Sequence, residues 1–132
     1  MRRRSLVSFS ALLLALSVGG ASAGQAQGAF KVDEAAAARG KKVWNSKQCS
    51  GCHELGRNAS TGPDLIGVTE RRSTEWLRKW LKDPVSMAGD DSIAAALKRQ
   101  YNYQMPKLGL TDSDATALIN YLAEETRARR GK

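Results

Sequence analysis

Both cysteines and the only histidine of this 132-residue chain fall within five consecutive positions, Cys49-Ser50-Gly51-Cys52-His53. On a helical turn, positions i, i+3 and i+4 share a face, so two thiols and one imidazole are presented together. No second cluster exists to complete them: one His and two Cys cannot build a four-ligand zinc finger of the usual types. A zinc site on Cys49, Cys52 and His53 would need a fourth ligand and would set two adjacent residues awkwardly around one tetrahedron. A redox CxxC of the thioredoxin type needs a preceding strand in a βαβ context. Here a Gly-bearing helical segment precedes and a Gly-rich loop follows. A local disulfide beside a surface His is the other alternative.

The N-terminus sets the compartment. Arg2, Arg3 and Arg4 precede an apolar run from Leu6 to Val18, and Ala21-Ser22-Ala23 follows. This is the pattern of a secretory signal peptide over residues 1–23, with cleavage expected near Ala23 and a periplasmic mature protein. The run of 13 residues contains three Ser, short of the ~20 apolar residues that span a bilayer, so no stable membrane insertion is expected after cleavage. No Cys follows the small residues to accept a lipid. Removing the signal lowers the net charge from +8 to +5. With aromatic content at 6%, neither a strong basic footprint nor a base-stacking platform supports a nucleic-acid partner. Export also means that thiols must be paired, modified or ligated.

CxxCH after an export signal fits covalent attachment of a haem. The spacing lets two thiols bond the two vinyl groups on one edge of the macrocycle while the imidazole of His53 reaches the iron. With the single His used, the sixth iron position falls to a softer ligand, Met87 or Met105, or stays open or Lys-bound. Pro106 forces Met105 out of the helical region, so Met105 is expected to project from a loop and is the favoured ligand. Met87, in Asp83-Pro84-Val85-Ser86-Met87, is expected in a surface turn. Packing is the commoner use of either Met.

Helical signals dominate the rest. Asp33 caps a segment running to about Asn45, with Ala37, Gly40 and Trp44 on one face. Glu54 to Val68 is rich in Gly and Pro and reads as a loop. Ser73 or Thr74 opens a helix whose Trp76, Leu77, Trp80 and Leu81 repeat at i and i+4, ending before Pro84. A short helix is expected from Ser92 to Gln100, with Ile93 and Leu97 inward. Thr111-Asp112-Ser113-Asp114 caps a final helix with Ala115, Leu118, Ile119 and Leu122 on its inner face. The class is all-α, with four or five short helices, in a core small enough that a buried prosthetic group would supply much of the interior. The expected divisions are a flexible segment at 24–31, a domain at 32–125 and a basic, fraying tail at 126–132.

With these motifs in place, the chain resembles the monohaem class I cytochromes c from about Asp33 to Glu124. The resemblance rests on a helix with Gly40 and Trp44, then Cys49 to His53, Gly62-Pro63-Asp64-Leu65, Met105-Pro106, and a last helix with Tyr121 and Leu122. It implies one covalently bound haem c with thioethers at Cys49 and Cys52 and axial ligands His53 and Met105. It further implies that Gly40 packs against the last helix near Tyr121 beside the haem, and that the Pro63 carbonyl accepts the Nδ1 proton of His53. Trp44 and Tyr103 are expected to pack on the haem; Trp76 and Trp80 either line it or fill the core. A His/Met iron leaves no position for substrate, so the implied function is one-electron transfer with redox protein partners rather than enzymatic chemistry. Two alternatives remain: the cytochrome subunit of a periplasmic oxidoreductase acting on sulfur or nitrogen compounds, or a ligand-binding or peroxidatic haem protein. Lys41, Lys42, Lys47, Arg57, Arg71, Arg72 and Lys107 either steer acidic partners or form an ordinary solvated face.

Overall fold

The computed structural model describes residues 30–131; the expected signal segment and residues 24–29 lie outside them. Among the described residues there are six helices, α1 (Glu34–Ser46), α2 (Val68–Arg71), α3 (Thr74–Lys82), α4 (Pro84–Asp90), α5 (Ser92–Tyr101) and α6 (Asp112–Arg130), with one 3-10 turn at Cys49–Gly51. Among the described residues there is no strand, and no helix is long and apolar enough to cross a membrane.

Each main helix starts where a side chain can satisfy the free N–H groups of a first turn. Asp33 accepts from the Ala36 N–H at 2.9 Å and opens α1. Ser73 caps α3 and Asp91 caps α5. At α6, Thr111 and Asp114 form a reciprocal capping box: Oγ1 of Thr111 accepts from the Asp114 N–H, and the Asp114 carboxylate accepts from the Thr111 N–H at 2.9 Å.

The frame is the contact between α1 and α6, the most extensive between any two helices here. Gly40 makes it possible. A Cβ at this position would lie 2.1 Å from the Ala117 carbonyl oxygen and 2.7 Å from the Tyr121 Cβ. With the helices so close, Trp44 tilts against Tyr121, ring centroids 5.9 Å apart. Asn120, buried on α6, accepts the Asp33 N–H at 2.8 Å and so ties the start of α1 to the same helix. Leu118, Ile119 and Leu122 fill the core beneath, joined by Leu77 from α3 and Leu110 from the segment before α6.

Four expectations change. Residues 84–90, expected as a turn around Met87, form α4: Asp83 caps it through the Ser86 N–H and Pro84 takes its first turn, where a missing N–H costs nothing. Ile93 is exposed and Ala94, the next position round α5, takes the fully buried place instead, while Leu97, also expected inward, is partly buried. Residues 126–130 continue α6 instead of fraying. Thr126 is buried, its hydroxyl donating to the Leu122 carbonyl and accepting from the Gly67 N–H, both at 2.8 Å. At the other end Phe30, placed in a flexible segment, packs against the core.

Two outcomes test this frame. Gly40→Ala forces the helices apart, and urea unfolding should show a loss of about 3 kcal/mol, the upper end for overpacking a tight contact. An unchanged midpoint would mean that α1 and α6 separate without penalty. The hydrogen bonds from Thr111 hold the Asp114 carboxyl below its ordinary value of 3.8. A depressed carboxylate stabilises the fold above that value and loses its contribution as pH falls below it. Asp114→Asn should therefore unfold more easily than the parent at pH 7, with the difference closing below about pH 4.

Candidate functional site

The Cys49–His53 segment is built as one tight turn directly after α1. Gln48 adopts a left-handed conformation, φ 54°, which turns the chain out of the helix. The Cys49 carbonyl then accepts from both the Cys52 N–H at 3.2 Å and the His53 N–H at 3.0 Å. In a 3-10 turn the side chains at i and i+3 nearly eclipse, which brings Cys49 and Cys52 to one side more tightly than an α-helical turn would. The two thiols are not joined to each other. Among the described residues, no three His, Cys, Asp or Glu side chains are disposed to hold a metal ion, so the motif does not converge as zinc ligands do.

The loop that follows folds back to hold the imidazole. The Gly62 N–H donates to the Cys52 carbonyl at 2.8 Å and the Leu65 N–H to the Glu54 carbonyl at 3.0 Å. One oxygen of Asp64 accepts from the Gly56 and Arg57 N–H groups and the other from Ile66. This strap sets the Pro63 carbonyl 2.9 Å from Nδ1 of His53. A carbonyl only accepts, so Nδ1 carries the proton and Nε2 keeps its lone pair. Gly62 lies close against the ring: a Cβ there would sit 2.7 Å from Cε1 of His53. Burial holds His53 below its ordinary pKa against the opposing effect of the Pro63 carbonyl, which keeps the imidazole neutral. Burial likewise pushes the Cys49 thiol up.

Cys49, Cys52 and His53 open into a cleft that the rest of the fold surrounds. Leu118 and Leu122 of α6, Trp76 and Trp80 of α3, and Leu65 and Val68 supply apolar walls. Trp44 lines the cleft, and so do Tyr103 and Met105 from the segment between α5 and α6. Tyr103 is nevertheless half exposed. Met87 is not among the lining residues. Gly40 does not line it either; its place is the α1–α6 contact. Trp76 and Trp80 stack on each other, centroids 5.5 Å apart, and both line the cleft, while Trp76 also packs against the core.

The residues present fit a flat, largely apolar macrocycle with acidic side chains. The walls are apolar, two free thiols stand three residues apart, and a neutral imidazole offers Nε2. Arg71, Arg72 and Lys98 reach the cleft, and the Arg72 guanidinium lies over the Trp76 ring at 5.5 Å. The Trp76 indole N–H is buried without a hydrogen-bond partner. Asp91 lies near enough for that N–H to favour its charged form, though outside bonding geometry. A buried donor beside the Arg72 guanidinium is a place for a carboxylate. Gly62 was legible as part of the Gly-Pro-Asp-Leu motif and Trp76 as a lining or core residue; the close approach of Gly62 to the imidazole and the unpartnered indole N–H were not.

A family model described as cytochrome c matches residues 37–125. Among solved structures, cytochrome c from Rhodothermus marinus superposes with a TM-score of 0.70 at 26% identity, covering 74% of this chain and 83% of that one. The cytochrome c domain of a Pseudomonas putida protein superposes with a TM-score of 0.60 at 40% identity, covering 69% and 91%. A nitric oxide reductase subunit of Stutzerimonas stutzeri is 42% identical over 53 residues, 36% of this chain and 36% of that protein, so the chain spans about a third of that relative. The chain belongs to the cytochrome c family: an all-α electron carrier whose cofactor is one covalently bound haem c.

Proposed function

We propose that this protein is a periplasmic one-electron carrier in which Cys49 and Cys52 would hold the haem through thioethers and His53 and Met105 would ligate its iron. The observation that carries the assignment is the His53 Nδ1 to Pro63 contact of 2.9 Å, which frees Nε2 toward the same cleft that Met105 lines. The bound haem supplies reversible one-electron exchange between ferric and ferrous iron. The chain supplies the rest. Pro63 fixes the tautomer and orientation of His53 and raises its basicity as a ligand. The thioether of Met105 favours the ferrous state relative to a second nitrogen ligand. Arg72, Lys98 and the Trp76 N–H offer charge and hydrogen bonds to carboxylates within the cleft. Two protein ligands on the iron leave no place for a substrate, which restricts the site to electron exchange with redox partners. The leader at residues 1–23 supports export to the periplasm.

The similarity to a nitric oxide reductase subunit favours a second reading, in which the domain serves as the cytochrome subunit of a larger periplasmic oxidoreductase. Copurification with a second polypeptide at fixed stoichiometry would select it over the free carrier.

Expression of the full chain in a host that exports and matures c-type cytochromes should yield a protein whose denatured mass includes one haem. Cys49→Ala and Cys52→Ala should each lose one thioether. The far-red absorption band that a methionine sulfur gives ferric haem should vanish in Met105→Ala and persist in Met87→Ala. A denatured mass without haem, or the opposite pattern between the two methionines, would sink the assignment.

A further inference from the structure

The two sides of the cleft are held in different ways. The His53 side is laced by backbone hydrogen bonds and by the Asp64 carboxylate. The segment carrying Met105 is not. Among the described residues, no backbone-to-backbone hydrogen bond involves positions 103 to 110. The segment begins at Asn102, left-handed at φ 48°, and turns again at Gly109, φ 63°. Pro106 removes one further donor.

Side chains replace the missing ladder. Nε2 of Gln104 donates to the Pro84 carbonyl at 3.2 Å and to the Met105 carbonyl at 3.1 Å. Lys107 pairs with Asp83 at 2.8 Å, and Nζ of Lys47 donates to the Leu108 carbonyl at 2.9 Å. These tethers differ in kind. The Lys107–Asp83 pair is largely exposed, with 59% and 40% of the side chains accessible, and surface pairs contribute little. Lys47 grips the chain three residues beyond Met105. Gln104 alone is adjacent to Met105, is partly buried, and grips the Met105 peptide itself. Its other amide atom, Oε1, is buried with no partner. A group that keeps two bonds through one atom at the cost of an unsatisfied second one has its orientation dictated by those two bonds.

We propose that Gln104 is the positioning residue for Met105: its amide cross-links the Met105 peptide to the start of α4 and thereby keeps the thioether in the cleft. The proposal rests on Met105 being the sixth ligand. Without the Gln104 donors, the segment would be held only by tethers at Lys107 and Leu108, two and three residues beyond Met105, and the thioether would leave the iron more often.

The test uses ferric holoprotein and imidazole as an exogenous ligand that enters only when Met105 departs. Gln104→Leu keeps the side-chain bulk and removes both donors. Imidazole binding by stopped flow should then be about tenfold faster than in the parent, the effect of losing roughly one hydrogen bond's net worth between the closed and open forms. Lys107→Ala should change the rate by less than about threefold, as an exposed pair does. Thermal unfolding of Gln104→Leu is measured in parallel, since a general loss of structure would also quicken binding; the proposal requires faster exchange at a nearly unchanged midpoint. If Gln104→Leu does not mature, Gln104→Glu, of the same shape and without donors when ionised, carries the same expectation. A parent-like rate in the Gln104 variant, with Met105→Ala still losing the far-red band, overturns the positioning role alone. Retention of that band in Met105→Ala overturns the ligand assignment and this proposal with it.

Discussion

The bare backbone at Gly40 lets α1 approach α6 until the Ala117 carbonyl occupies the space where a side chain would begin. Much of the molecule takes its position from that contact. It buries Trp44 against Tyr121 and aligns α1 so that the chain leaving it at Gln48 delivers Cys49, Cys52 and His53 to the edge of the core. The adjoining face of α6, one residue round from Ala117 and Tyr121, provides Leu118 and Leu122 to the cleft. Helix contact and ligand turn are thus two ends of one rigid piece. The close approach is tolerated because small residues and one aromatic pair fill it with little void, and interiors at this density resist partial opening.

From this piece the cleft grows asymmetrically. The strap at residues 54–65 is hydrogen-bonded to the turn it covers, and Thr126 ties Gly67 to α6. The imidazole is therefore oriented by a network in which each donor has a nearby acceptor. The segment between α5 and α6 has few such partners, and its position depends on a few side chains reaching elements distant in sequence. Local stability should follow that difference, since segments with few internal hydrogen bonds open at lower free energy than packed helices. Under the proposed assignment of Met105 as a ligand, an electron carrier tolerates a lightly held thioether so long as the closed form dominates, because electron exchange requires no ligand to leave.

What could be read in advance was what the chain encodes locally. Cys49 to His53 are contiguous, Asp33 and Thr111 stand directly before the helices they cap, and the stripe from Ala115 to Leu122 shows the face that α6 buries. The all-α class follows from those signals together, and the family match agrees with it. Features that depend on distant partners were hidden. Thr126 sits in a basic run that looks like a tail, and its reason for order is a backbone N–H 59 positions earlier. Asp83-Pro84 ends one helix and begins another, and only the first role was apparent, although Pro in a first turn also favours a start. Ile93 carried the apolar signal in α5, yet tertiary packing there chose Ala94. Gln104 had no signal, since both its acceptors are carbonyls that any residue could supply.

The cations near the motif look different once their contacts are known. Lys47 is bound to the Leu108 carbonyl, Arg71 to the carbonyls of Ile66 and Asp64, and Arg72 to the Arg71 carbonyl while resting on Trp76. A carbonyl satisfies a donor without cancelling its charge, so these residues still contribute to the long-range field around the cleft. Lys107 differs, because Asp83 opposes its charge at 2.8 Å. What the bound cations have lost is freedom: swinging out to meet a partner's carboxylate would break the contacts that hold the loops. Such residues can hasten encounter without forming specific ion pairs at contact. That separation suits a carrier, for which approach must be fast and release must follow, since attraction through the field affects association more than it prolongs the complex.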